Sequence, residues 1–203
     1  SPERQVFIAG ADIRQLKERT VADAFRAINS GLFNKIATFP KVTIAAMAGS
    51  ALGGGLEIAL ACDLRVASLT GRYGLPETGL GILPAAGGTQ RLPRLIGLGR
   101  AKEIILTGKT LDGAEAERIG LVTQAIPCEM VVEAARGLAK KVLARGPLAV
   151  RLAKRALDLS GSLSVEDGLF LEILAQGAAF GSQDKVEGMT AFLEKRPAKF
   201  SGS

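Results

Sequence analysis

Three consecutive glycines, Gly53-Gly54-Gly55, stand between two apolar runs, and no other feature narrows the fold of this chain so far. Before them, Val42 to Ala48 is apolar, partly β-branched and closed by Gly49, which is strand chemistry. After them, Leu56 to Cys62 has the composition of a buried helix. Glycines at such a junction let the backbone approach a ligand and leave amide N–H groups free at the positive end of a helix, where an oxyanion is welcome. The same triplet can serve only as a tight strand-to-helix connection, so by itself it leaves both readings open.

Glu57 is the one charged residue in the run from Leu56 to Cys62. An unpaired carboxylate there carries a large desolvation cost, and burial would raise its pKa toward the range useful for proton transfer. The competing structural reading is an ion pair with an arginine elsewhere in the chain. Glu77 lies in Gly74-Leu75-Pro76-Glu77-Thr78, a rigid segment among apolar neighbours, where it serves either as a turn carboxylate or as a second acid–base group.

Along the rest of the chain, Val6 to Ala9 reads as a short buried strand turning at Gly10. Asp12 opens an amphipathic helical stretch to Leu16, and a longer helix is expected from Val21 to Ala37, with Ala24, Phe25, Ile28, Leu32, Phe33 and Ile36 on one face. Pro40 stops it. A short strand follows at Leu64 to Ala67, and Arg72 to Thr89, rich in Gly and Pro, is expected to be loop and turns. From Arg94 helical patterns dominate, interrupted at Gly120 to Thr123, a candidate strand, and at Gly146-Pro147; the last helix runs from Gln183 to Leu193 and ends before Pro197. Alternating strands and helices followed by helices alone describe an α/β core with a helical C-terminal part.

Composition removes several chemistries. The chain contains no His, which excludes Ser-His and Cys-His nucleophile pairs and a His-ligated metal site. Cys62 and Cys128 are far apart and form no CxxC, so neither redox catalysis nor a disulfide scaffold is indicated, and a reducing, intracellular setting fits. Gly108-Lys109-Thr110 resembles the end of a phosphate loop, but the required earlier glycine is Glu103. No apolar run approaches the ~20 residues that span a bilayer, so no membrane is expected. A net charge of +6 favours anionic partners in general. The basic residues are scattered and only one Tyr and no Trp are present, which argues against nucleic acid.

The segments taken together resemble the crotonase (enoyl-CoA hydratase/isomerase) family. The likeness starts at Phe7-Ile8-Ala9-Gly10-Ala11-Asp12-Ile13 and runs through Ile44 to Ala59. It includes Pro76-Glu77, Gly81-Ile82-Leu83-Pro84 and Gly87-Gly88-Thr89-Gln90-Arg91-Leu92, then Leu106-Thr107-Gly108, Gly120-Leu121-Val122 and Glu187 to Pro197. Several long signatures in the right order over essentially the whole chain make it specific. It departs in having Ala85-Ala86 where the family loop often has a glycine, and in starting just before its first signature. With no initiator Met, additional residues are expected before Ser1 in the natural protein.

What the resemblance implies is a crotonase-type ββα spiral over residues 1–137, N-terminally incomplete, and a helical oligomerisation region over 138–203 that builds homotrimers or hexamers. It implies an enzyme acting on an acyl-CoA thioester, with no metal and no cofactor beyond the coenzyme A of the substrate. The amides of Ala11 and Gly54 would form the oxyanion hole. Glu57 and Glu77 would hold one water, Glu57 activating it for attack at C3 and Glu77 protonating C2 of a trans-2-enoyl-CoA. Ala9, Ala11, Asp12, Ile13 and Arg14 would line the CoA and acyl entrance, and Phe192 and Lys195 would help hold the CoA adenine and phosphates. The family also contains double-bond isomerases, which often lack one of the two glutamates, and methylglutaconyl-type hydratases. A reading of another class, an RNA-binding relative of the hydratases, would show RNA affinity with a steep salt dependence. The expected setting is the cytoplasm in a bacterium and the mitochondrial matrix in a eukaryote.

Overall fold

The computed structural model describes residues 6–203; the polar stretch Ser1 to Gln5, which shows no secretory pattern, lies outside them. The chain divides into two compact units, one made of the residues up to Phe39 with Thr43–Arg136, the other of Pro40–Val42 with Gly137–Ser203.

Among the described residues the first unit holds six short strands, β1 (Val6–Ile8), β2 (Ile44–Met47), β3 (Ser50–Leu52), β4 (Leu64–Ser68), β5 (Tyr73–Gly74) and β6 (Gln124–Ile126). They form two parallel three-stranded sheets, in the orders β1-β3-β5 and β2-β4-β6. Odd strands therefore lie in one sheet and even strands in the other. The chain places a strand on each sheet in turn, which is the α/β spiral. β2 alternates half-buried and buried positions, with Ala45 and Met47 turned into the core, while β4 is buried at four consecutive residues, as parallel strands covered on both faces are.

Helix α1 (Ile13–Glu18) begins where the sequence places it, because the Asp12 carboxylate accepts the Arg14 amide at 2.8 Å. The long helix expected from Val21 to Ala37 is two helices, α2 (Val21–Phe25), started by a Thr20–Asp23 capping box, and α3 (Ile28–Ala37). Ala27 between them has φ +49°, a left-handed conformation that breaks the 3.6-residue period. The break scatters the expected apolar face: Phe33 is 7% exposed, but Phe25 is 83% exposed.

The helix after the glycines is α4 (Gly54–Ala61), buried nearly all round, as a helix apolar on every face must be. The Gly–Pro segment read as loop contains β5, a 3-10 turn at Glu77–Leu80, and the start of α5 (Gly88–Ile96). Pro93 inside α5 hides the helix from a propensity reading. α6 (Leu98–Thr107) and α7 (Gly113–Arg118) follow. The strand expected at Gly120 to Thr123 forms a few residues later as β6, paired with β4. Arg65 of β4 is buried and holds three carbonyls, donating to Leu121 (2.8 Å), Cys62 (2.6 Å) and Ala59 (3.4 Å), so it ties the end of α4 to the approach to β6.

Helix α8 (Val131–Leu143) leads into the second unit, which contains α9 (Pro147–Leu159), α10 (Val165–Phe180) and α11 (Gln183–Leu193). Pro147 takes the first position of α9, while Ser164 and Ser182 cap α10 and α11. Asp184 in α11 is buried and accepts the amides of Ser201 and Gly202 at 2.7 and 2.9 Å, anchoring the tail. Glu187 receives a two-pronged bond from Arg196, which holds its pKa down at about 2. Phe170, Ile173 and Leu174 on α10 are exposed. Among the described residues no helix is long and apolar enough to cross a membrane.

Candidate active site

The three glycines have separate jobs. Gly53 has φ +55° and ψ −130°, a conformation that β-carbon sterics deny to other residues. Gly55 faces the backbone of β1, where a Cβ would sit 1.9 Å from the Ile8 carbonyl oxygen. Gly54, between them, opens α4. Among the described residues its amide donates to no protein acceptor, and neither does the amide of Ala11. The Gly10 turn, next to Ala11 in the chain, lies against the start of α4: a Cβ built on Gly10 would be 3.4 Å from the Gly54 nitrogen. A pair of unbonded amides at a helix N-terminus is a site for a developing negative charge.

Glu57, one turn into α4, is 4% exposed. Its Oε1 accepts the amides of Ala86 (2.7 Å) and Gly88 (2.8 Å), from the loop that starts α5. Burial raises its pKa, while those two amides and the nearby Arg91 pull it back. The arginine ion pair considered from sequence is not formed within 4 Å among the described residues; Arg91 acts on the carboxylate through space and donates instead to the Ala86 carbonyl at 3.0 Å.

Glu77 opens its 3-10 turn with Oε1 3.1 Å from where a Cβ on Gly53 would be, which sets it against the glycine junction. Its Oε2 is buried and has no hydrogen-bond partner among the described residues. Burial raises its pKa, and the charge of Glu57 raises it further. The turn is fixed from behind by Thr78, whose hydroxyl donates to the Ile105 carbonyl at 2.8 Å. Two carboxylates, Glu57 buried and Glu77 half-buried, thus influence one another; Glu57 Oε1 is held by two amides, while Glu77 Oε2 has no donor among the described residues. Burial raises the pKa of both, opposed at Glu57 by the two amides and Arg91 and reinforced at Glu77 by the charge of Glu57.

Of the remaining residues singled out from sequence, Ala9, Ala11, Asp12, Ile13 and Arg14 form the continuous stretch from the end of β1 into α1. Asp12 is occupied as the helix cap, while Ile13 and Arg14 are exposed. Phe192 and Lys195 belong to the second unit; Phe192 is 82% exposed, and Lys195, just past α11, has φ +55°. The sequence reading missed Ala86, Gly88 and Arg91 as the groups that hold Glu57. The only signal for them was the run Gly87-Gly88, a place where two amides can turn toward one acceptor.

The enoyl-CoA hydratase/isomerase family model matches residues 1–203. The human protein "enoyl-CoA hydratase domain-containing protein 2, mitochondrial" is 47% identical over 203 residues, covering 97% of this chain and 70% of the relative. A crotonyl-CoA hydratase from Syntrophomonas wolfei is 43% identical over 196 residues, covering 96% of this chain and 75% of the relative. The crystal structure of an enoyl-CoA hydratase from Bacillus anthracis superposes with a TM-score of 0.92 at 41% identity, covering 96% of this chain and 76% of that one.

Proposed function

This chain belongs to the enoyl-CoA hydratase/isomerase family, and we propose that it is a hydratase in which Glu57 and Glu77 share one water and add it syn across the double bond of a trans-2-enoyl-CoA. The observation that carries this reading is the pair of mutually influencing carboxylates beside the α4 N-terminus, Glu57 buried and gripped by two amides, Glu77 half-buried with a buried Oε2 that has no hydrogen-bond partner among the described residues.

The thioester oxygen accepts the Ala11 and Gly54 amides, which stabilise the negative charge that develops there as C3 is attacked; one such donor is worth about 3 kcal/mol. Glu57, whose charged form the Ala86 and Gly88 amides favour against burial, takes a proton from the water as the water's oxygen bonds to C3. Glu77 enters protonated and gives its proton to C2. The cycle leaves Glu57 protonated and Glu77 ionised, and return of a proton from one to the other resets the site. Carboxylates and amides handle every charge, so the reaction asks for no cofactor and no metal, coenzyme A being part of the substrate.

In this reading the stretch from Ala9 to Arg14 lines the entrance, and Phe192 and Lys195 hold the adenine and phosphate end of CoA. The exposed apolar positions of α10 supply the contacts of a homotrimer or a hexamer. The setting is a bacterial cytoplasm or a mitochondrial matrix, the human relative's name being a mitochondrial one.

The direct test is the loss of the conjugated enoyl-thioester absorbance of crotonyl-CoA. Glu57→Gln and Glu77→Gln each slow that loss by roughly 10²- to 10⁴-fold, with the double variant little worse than the poorer single one, while acyl-CoA binding survives. Near-parental turnover in both single variants defeats the two-glutamate mechanism. Conversion of a 3-enoyl-CoA to its 2-enoyl isomer without hydration assigns the chain to the isomerases instead.

A further inference from the structure

The loop Ala85 to Gly88 is gripped from both sides. The amides of Ala86 and Gly88 donate to Glu57 Oε1 at 2.7 and 2.8 Å. The peptide unit joining Ala86 to Gly87 lies between those two donors, and its carbonyl accepts Arg91 Nη1 at 3.0 Å. The guanidinium lies directly over Gly87, close enough that a Cβ there would collide with Nη1. Arg91 is fixed in its turn, since it sits on the first turn of α5 and its own amide donates to the Gly87 carbonyl at 2.8 Å. The result is a closed circuit of one carboxylate, two amides, one carbonyl and one cation.

We propose that Arg91 is a positioning residue for Glu57: by holding the Ala86 carbonyl, its guanidinium aims the two flanking amides at Glu57 Oε1 and leaves the other carboxylate oxygen as the one that meets the water. This rests on the two-glutamate reading above. The rigid planar fork of arginine suits the task, because it fixes the direction of the bond as well as its presence. A carboxylate whose donors are loosened loses both its orientation and part of what keeps it ionised.

Few other charges bear on Glu57. Glu77 faces it from the 3-10 turn, and Arg91 is the cation that α5 brings. Arg94 of the same helix is exposed and bonded to Gln90, Lys35 of α3 is exposed, and β1 and β3, which also pack on α4, carry no titratable side chain. Removing the Arg91 guanidinium takes away the attraction and slackens the donors, and both changes favour the protonated form. Activity that needs ionised Glu57 then fails at a higher pH as the solution is acidified.

The test compares Arg91→Met and Arg91→Lys in crotonyl-CoA hydration across pH, with melting curves taken alongside. The Met variant is expected to lose about 10- to 100-fold in kcat, the scale of a misplaced reacting group, with a smaller change in KM and with the acidic limb of its pH profile moved upward. The Lys variant, which keeps the charge but not the fork, restores the limb toward the parental position while kcat stays below the parent. A folded Met variant whose acidic limb has not moved overturns the proposal. Should Met not fold, the same comparison is made with Lys in the Glu57→Gln background. There the substitution has almost no further effect if Arg91 works through Glu57, and its full parental effect if its role is only structural. Normal turnover by Glu57→Gln itself defeats the two-glutamate mechanism. A dead Glu57→Gln with an additive Arg91 effect defeats only the role given to Arg91.

Discussion

Replacing each glycine of the triplet in turn by alanine separates three physical effects that look identical in the sequence. At Gly55 the new methyl would lie 1.9 Å from the Ile8 carbonyl oxygen and 2.7 Å from its carbon, both backbone atoms that no rotamer change can move. Opening that gap even to the 3.2 Å of a tight contact moves β1 and α4 apart by roughly 1.3 Å, an overpacking cost at the upper end of the usual range, about 3 kcal/mol. For a chain of this size that is a fall in melting temperature of roughly 6–12 °C. The same displacement separates the Ala11 and Gly54 amides, so hydration should fall by about 100-fold in whatever fraction remains folded. At Gly53 the space is adequate, 3.1 Å from the end of the Glu77 side chain, but φ +55° with ψ −130° costs a side-chain-bearing residue about 1–3 kcal/mol. At Gly54 the nearest atom is the Gly10 Cα at 3.8 Å and φ is ordinary, so alanine should change stability by less than about 1 kcal/mol, in the direction of a gain. Thermal melts of the three variants, with crotonyl-CoA hydration beside them, read the order directly. Equal melting temperatures, or a Gly55→Ala variant that melts with the parent, would refute the close approach of β1 to α4.

Glu77→Gln should be at least as stable as the parent at neutral pH, because its buried Oε2 has no bond to lose. The folded carboxyl titrates above the usual 4.5, so the native state binds more protons and the parent loses stability as pH rises through the folded pKa. The advantage of the Gln variant should therefore vanish below pH 4.5, and a variant that is less stable than the parent at neutral pH but equal to it in acid contradicts this. Arg65→Met leaves the buried Leu121 carbonyl without the Arg65 donor and should destabilise by about 1–3 kcal/mol in denaturant titration; no measurable loss would show that this carbonyl finds another donor. Lys195→Gly relieves a left-handed backbone and should stabilise by about 1 kcal/mol, yet weaken CoA binding if the side chain holds its phosphates. Unchanged affinity for CoA by calorimetry would remove Lys195 from the binding surface.

Legibility in the sequence followed the range of the interaction concerned. Asp12 and the helix it starts, the apolar helix after the triplet and the helix from Gln183 to Leu193 were all readable, since caps and composition act within a few residues. Glu57 was readable as a buried carboxylate because a helix apolar on every face carries its single charge into the core with it. β3 and β5 were not readable: so few residues carry no period, and they are strands only because neighbours from elsewhere in the chain pair with them. The break at Ala27 was equally hidden, as nothing in Phe25-Arg26-Ala27-Ile28 marks a left-handed residue.

The division falls at the same place in the active site. Residue type and position in a helix were enough to single out Glu57 and the glycine triplet, whereas Glu77 stayed open between a turn carboxylate and an acid–base group, and the choice of Glu77 and of the Gly54 amide came from the family resemblance. How those groups are tuned depends on residues far away along the chain. The Ala86 and Gly88 amides, 29 and 31 positions on, reach Glu57 only when α5 packs on α4, and Glu77 Oε2 has no partner among the described residues because the fold buries that atom where no donor is aimed. The need for glycine at position 55 exists only because β1 crosses within contact distance. Hydrogen bonds, desolvation and steric contact depend on distances in space, and in a fold that sends successive strands to alternate sheets, those distances are unrelated to separation along the chain.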